Sequence, residues 1–210
     1  GDYFVEITAA KTEVNVGDTF TVSGVAQTYN PSSQKYVDVS TAHTLTWTLN
    51  DSSLATLSKT TSAKGATINV TATASGKLVL TAKTTINGQE YEGTKTITVT
   101  SPKAEDVSLM LEDDANYVLL DGSKISDKVK ALTKVTPSTF MFKQPTNGTV
   151  YTSSALSSAV STTTKYSAAE VSKMAFKPTR TAGSYTIEYT AYVSNGELAT
   201  GKIIVMTSSG

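Results

Sequence analysis

Residues 140–153 read FMFKQPTNGTVYTS. At the centre, Asn147-Gly148 separates two runs with strand character. Asn-Gly is the pair that two-residue type I′ hairpin turns select, because both central residues need a positive φ. The other use for such a glycine is room for the close approach of a ligand. The dipeptide recurs at Asn87-Gly88 and Asn195-Gly196. Its reading therefore bears on the whole chain, and turn chemistry predicts a hairpin at all three places.

The first pair passes a register test. A two-residue loop at Asn87-Gly88 pairs Ile86 with Gln89 and, further out, Leu78 with Ile97. Two core candidates then meet across the ladder, so turn and hydrophobic pattern agree. At Asn147-Gly148 the same loop pairs Thr146 with Thr149 and Pro145 with Val150. It puts Pro145 at a sheet edge, where its missing N–H costs nothing. Phe140, Phe142 and Tyr151 then share a face. At Asn195-Gly196 a two-residue loop sets Glu188 opposite Ile203. Either Gly201 marks a bulge that shifts the register, or Ile204 and Met206 are the buried set.

Period-two alternation extends outward from these turns. Phe20, Val22, Gly24 and Ala26 share one face of their strand, as do Leu45, Trp47 and Leu49. Ile68, Val70 and Ala72 repeat the pattern, followed by Leu78, Leu80 and Ala82, then Ile97 and Val99. Each run is expected to be a half-buried antiparallel strand. A boundary falls at residues 101–104, SPKA, giving domains at 1–101 and 105–210. One short helix is expected in the second, N-capped by Ser126, with Asp127 in its first turn and Val129 and Leu132 on one face. Asp121-Gly122 reads as a turn. The fold class is all-β: two tandem β-sandwich domains, the first immunoglobulin-like, the second with one short helix.

Composition excludes several functions. Lys plus Arg balances Asp plus Glu, 18 against 18, so nothing marks a nucleic-acid or anionic-membrane footprint. There is no cysteine, hence no disulfide, iron–sulfur cluster or thiol chemistry. No apolar run reaches the ~18 residues of a membrane span. The chain begins at Gly1 without Met or a signal peptide, as a processed or tagged chain would, so export is not legible there.

Four stretches of the first domain resemble the bacterial immunoglobulin-like (Big-2-type) family. They are VNVGDTFTV (14–22), LTWTLNDSSLATLS (45–58), ATINVTATASGKLVLTAKT (66–84) and TKTITV (94–99). The loop from Tyr29 to Ser40 is longer than that family's pattern. The second domain is similar to a β-rich repeat of large Gram-positive cell-surface proteins, often found beside S-layer homology domains. The shared order is SDKVKALT, FKQPTNGTVY, TKYSA, MAFKP and GSYTIEYTAYVSNGELATGKIIV. The resemblance implies an exported, surface-displayed, multi-domain protein, and it carries no catalytic residue with it.

The search for chemistry gives little. His43 is the single histidine. It has no nucleophile elbow to serve and too few companions for zinc, and it reads as a strand-end residue. Glu112, Asp113, Asp114 and Asn116 have the hard oxygens calcium takes, but not EF-hand spacing, and read as a solvated turn. No catalytic, cofactor or metal site is expected, and the chain is read as a non-enzyme. Tyr185, Ile187 and Tyr189 share a strand face and read as core, with their hydroxyls toward water. Tyr29 and Tyr36, flanking NPSSQK, and Tyr192 on the opposite face are the candidate ligand contacts.

The sequence therefore points to a structural spacer module of an extracellular bacterial surface protein. It is expected to be an elongated monomer without a deep pocket. Its partners would be other domains of the same protein, with cell-wall or host glycans or proteins at the tyrosines. A glycan- or protein-binding adhesin module, or an accessory domain of a surface enzyme, are the alternatives.

Overall fold

The computed structural model describes residues 2–194 and 196–208; Gly1, Asn195, Ser209 and Gly210 lie outside them. The chain divides into two compact units, Gly1–Thr100 and Ser101–Gly210.

The first unit contains β1 (Tyr3–Ala9), β2 (Glu13–Asn15), β3 (Thr19–Asn30), β4 (Lys35–Asp38) and β5 (Thr44–Leu49). It continues with β6 (Ala55–Leu57), β7 (Thr61–Ala63), β8 (Ile68–Ala72), β9 (Gly76–Ile86) and β10 (Gln89–Thr100). One sheet runs β1-β3-β8-β6, with β4 also paired to β3, and the other runs β2-β10-β9-β5-β7. This is the two-sheet arrangement of an immunoglobulin-like sandwich. The Tyr29–Ser40 segment, read as a long loop, instead extends β3 and returns as β4, with Tyr29 opposite Tyr36.

The expected strand faces are the buried ones. Phe20, Val22, Ala26, Leu45, Ile68, Val70, Leu78, Leu80 and Ile97 all lie in the core. Leu78 pairs with Ile97 and Ile86 with Gln89, as the first Asn-Gly turn requires. Asn87 and Gly88 have φ of 53° and 79°. Trp47 is 2 % exposed, and its Nε1 donates to Ser62 Oγ at 2.8 Å. Its ladder partner is Ala82 of β9. A Cβ on Gly24 of β3 would lie 3.4 Å from the indole and 2.9 Å from Leu45 Cδ1. The two strands that carry the disulfide in antibody domains thus present small residues here, and the indole fills the space.

The second unit contains β11 (Val107–Leu111), β12 (Val118–Leu119), α1 (Gly122–Thr133), β13 (Thr139–Phe142) and β14 (Gly148–Tyr151). Then follow α2 (Ala168–Val171), β15 (Ala175–Pro178), β16 (Ser184–Val193) and β17 (Gly196–Thr207). A four-stranded sheet, β11-β17-β16-β13, packs on a three-stranded one, β12-β15-β14. Phe176 and Tyr185 bridge them, ring centroids 5.1 Å apart.

Asn147-Gly148 is not a hairpin. β13 pairs with β16 and β14 with β15, so residues 143–147 cross from one sheet to the other. Gly148 has no positive φ. A Cβ there would meet Phe176 Cε1 at 2.3 Å and Lys177 O at 2.9 Å. The glycine serves close approach after all, to a core ring rather than a ligand. The Gln144 side chain supplies what the hairpin would have supplied. Its Oε1 accepts from Val150 N at 2.8 Å, and its Nε2 donates to Val150 O at 3.0 Å. Tyr151 consequently lies in a different sheet from Phe140 and Phe142.

The last hairpin resolves by a bulge, placed elsewhere than expected. Val193 pairs with Gly196 and Tyr192 with Glu197, whereas Ala191 pairs with Ala199. Leu198 is the extra residue. Ile187 then faces Ile203, and Glu188 faces Lys202. Ile203 and Val205 are buried, and Met206 is exposed. Gly201 is not the bulge; its missing side chain admits the Tyr189 hydroxyl.

The helix starts a turn earlier than expected. Asp121, not Ser126, is the N-cap, accepting from Lys124 N. Asp121-Gly122 is therefore a helix start rather than a free turn. Ile125 and Val129 face the core, and Leu132 is exposed. Gly122 has no Cβ because one would sit 2.1 Å from Ala168 O. A one-turn helix, α2, was not anticipated, although Ser167 and Glu170 form a complete capping box. Residues 101–104 are bound into the second unit. Thr200 N donates to Pro102 O, and Ala104 N to Thr200 O.

Trp47→Ala removes the largest side chain of the first core and should cost about 3–5 kcal/mol. Denaturant melts measure it directly. Native emission should be blue-shifted and poorly quenched by iodide, and red-shifted, fully quenchable emission would contradict the burial.

Candidate functional site

The exposed aromatic face of the first unit lies on the outward side of β3. Alternation from the buried Phe20, Val22 and Ala26 puts Tyr29, with Gln27, on the solvent face. Asn30 reverses the chain, its Oδ1 accepting from Ser32 N at 2.9 Å, and Gln34 takes φ 56°. β4 then sets Tyr36 opposite Tyr29. The two rings meet edge to face at 5.3 Å, and Phe4 meets Tyr36 at 5.1 Å. Tyr29 and Tyr36 are 47 % and 59 % exposed. Beside them Gln27 Nε2 donates to Asp38 Oδ1. Such a face offers apolar ring area with polar hydroxyl tips. It can stack on a sugar or an apolar side chain, and it contains no general acid–base pair.

Phe4 was not singled out from sequence. It belongs to the site because its ladder partner is Gln27, on Tyr29's face of β3, and that pairing is invisible in a linear pattern. Tyr192 belongs to the second unit, where Lys165 Nζ lies 4.1 Å above its ring.

The remaining candidates have structural roles. His43 is buried. Its Nδ1 contacts Thr41 O at 2.7 Å, and a carbonyl can only accept, so Nδ1 carries the proton. Nε2 then accepts from Ala26 N at 3.0 Å, fixing the start of β5 against β3. Glu112 O accepts from Ala115 N in a tight turn, and Asp113 Oδ1 accepts from Ser208 Oγ at 2.8 Å. Among the described residues no three His, Cys, Asp or Glu side chains are grouped as metal ligands.

Tyr185 and Tyr189 are core residues, 4 % and 2 % exposed. Their hydroxyls do not reach water as expected. Tyr185 donates to Arg180 O and accepts from Ala182 N. The Tyr189 hydroxyl has no hydrogen-bond partner.

No family model matches the chain, and no curated protein does. Solved structures similar to it include the adhesin InvE of Yersinia pseudotuberculosis, at 15 % identity and a TM-score of 0.41. That likeness covers 97 % of this chain and 58 % of the adhesin, so the chain spans less than two thirds of it. Domains 5–6 of the S-layer protein SbsC match at 14 % identity and a TM-score of 0.31, over 99 % of this chain and 100 % of that one. The C-terminal domain of the Streptococcus pyogenes antigen I/II-family protein AspA matches at 8 % and 0.32, over 97 % and 99 %. Likenesses of this size carry no functional argument.

Burial, with a smaller contribution from Asp106, pushes the Tyr189 phenol up to about 12. The unfolded phenol ionises near ~10. Below pH 10 both states hold the proton and stability is unaffected. Between pH 10 and 12 the unfolded state loses it first, so stability falls with rising pH. Tyr189→Phe should remove that part of the alkaline loss, about 1–2 kcal/mol, and be neutral or slightly stabilising at pH 7, since it deletes an unpaired buried hydroxyl. Urea melts of both proteins at pH 7, 10 and 11.5 test this; identical alkaline slopes would contradict it.

Proposed function

We propose that the chain is a non-enzymatic spacer module of a bacterial cell-surface protein, joining other domains of the same polypeptide and acting as a monomer outside the cell. The observation that carries this reading is one of connectivity. In the first unit β2 pairs in parallel with the last strand, β10. In the second, β11 pairs in parallel with the last strand, β17. Tension along the chain pulls such partners in opposite directions along their common axis. All ladder bonds then resist together, whereas an antiparallel terminal hairpin opens one bond at a time. A segment that transmits load without disulfides gains from this arrangement. The bacterial, extracellular setting is supported by the sequence patterns of both halves.

The test uses Val16, whose N–H donates to Thr100 O at 3.0 Å at the end of the clamp. Val16 precedes Gly17, at φ 97°, and Asp18 N bonds to Asn15 O, so Val16 occupies position i+1 of a type II turn, where proline fits. Val16→Pro deletes one clamp bond without opposing the backbone. In single-molecule pulling, the first unit should unfold roughly fivefold faster at a given load, as ~1 kcal/mol implies. The second unit's event should be unchanged. Equal unfolding of wild type and variant would count against a load-bearing role.

The exposed Phe4–Tyr36–Tyr29 face supports a second reading, an adhesin module that contacts glycans or proteins. Glycan-array binding by the whole chain, lost on Tyr36→Ala with the melting temperature unchanged, would move the function to that face. Binding that survives Tyr36→Ala would not.

A further inference from the structure

The outward face of the four-stranded sheet in the second unit carries a shallow concavity of about 320 Å³. Sequence alternation places its lining in two cross-strand rows. Thr190 lies between Thr200 and Met141, and Lys103 bridges to Thr200 at the sheet edge. In the next row Glu188 faces Lys202, and Lys143 Nζ reaches Glu188 Oε2 at 3.8 Å. Three lysines thus line the concavity against one carboxylate, on a chain whose net charge is zero. Glu188 is occupied by Lys143. Among the described residues, Lys103 and Lys202 have no carboxylate within ion-pair distance.

A further feature points to a polar ligand. Along β16 from Thr190, Tyr192 shows its ring on the same face with Lys165 above it, which adds a fourth cation beside the concavity.

We propose that this face binds an anionic glycan, a hydroxyl-rich polymer bearing carboxylate or phosphate groups. Lysines act as point charges toward such groups without demanding the fixed planar geometry of an arginine fork. The hydroxyls of Thr162, Thr190 and Thr200 both donate and accept, matching sugar or polyol hydroxyls. Met141 supplies an apolar floor. An open concavity on a flat sheet suits a passing segment of polymer rather than an enclosed small molecule. This inference stands apart from the spacer reading, since a load-bearing module can also be anchored along its length.

The experiment is isothermal titration of the whole chain with polygalacturonate, with a glycerol phosphate polymer, and with neutral dextran. At least one of the two anionic polymers should bind, the pair distinguishing carboxylate from phosphate, and dextran should not. Lys103→Gln with Lys202→Gln should weaken binding at least about tenfold, the worth of a single charge-assisted contact. Lys59→Gln with Lys77→Gln, exposed in the first unit, should leave it unchanged. Thr190→Val with Thr200→Val should weaken it at constant charge. Failure of both anionic polymers to bind would overturn the proposal. So would equal binding of single-stranded DNA, or equal loss from the first-unit lysine pair, since either means unspecific attraction of polyanions.

Discussion

Each unit depends on the parallel pairing of an early strand with its last one. Until Val14 meets Val99, and Leu109 meets Val205, the last strand of each unit leaves an edge of its sheet open. Loop closure over most of a domain precedes that contact and costs entropy before the ladder returns anything. The cost is offset by burial, because the paired strands carry core residues such as Val14, Val99, Val107 and Val205. The same pairing makes the early and last strands of each unit run in one direction. The first unit reaches it by splitting its opening segment: β1 joins one sheet and β2 the other. The stretch between them, Ala10 to Thr12, is where the chain changes layer.

The cores are sealed without cross-links by aromatic rings set against small residues. In the first unit the ring is Trp47, lying against Gly24 and Ala82. In the second, Phe176 occupies the space over Gly148 while also touching Tyr185 of the opposite sheet. A ring needs a whole missing side chain opposite it to approach a backbone so closely. Glycine therefore appears in these strands despite its entropic disadvantage there. Packing of this kind ties the two sheets together by shape, in a chain with no cysteine to cross-link them.

Strand faces were legible because the first-unit strands that carry the core bury one side only, and a one-residue slip would expose the whole apolar set. Elements set by long-range packing were not. The start of α1 reads as a turn because Asp-Gly suits one, and only Ala168, forty-odd residues away, explains the glycine. The bulge at Leu198 leaves no local mark, since Leu198 and Ala199 simply read as one more apolar pair. The aromatic face was half legible. Tyr29 and Tyr36 stand out as exposed by context, whereas Phe4 joins them only through the β1–β3 register. The cluster of Lys103, Lys143 and Lys202 spans three separate segments and had no sequence signal at all.

The three Asn-Gly pairs show how far local chemistry reaches. Turn propensity is the same for each dipeptide, yet Asn87-Gly88 forms the hairpin it predicts and Asn147-Gly148 does not. The register separates the first from the second. At Asn87-Gly88 the two-residue loop sets Leu78 opposite Ile97, apolar against apolar. At Asn147-Gly148 the same arithmetic sets Phe142 opposite Ser153 and Phe140 opposite Ala155. Phe142, one of the larger core rings, would then face a small polar partner. Beside β16 instead, Phe142 lies against Tyr189 and Phe140 against Ala191, with Phe140 and Tyr189 in edge-to-face contact at 6.0 Å. Burying those rings outweighs the modest preference of a two-residue turn. The chain therefore carries β13 and β14 into different sheets, and the glycine that looked like a turn becomes the floor beneath Phe176.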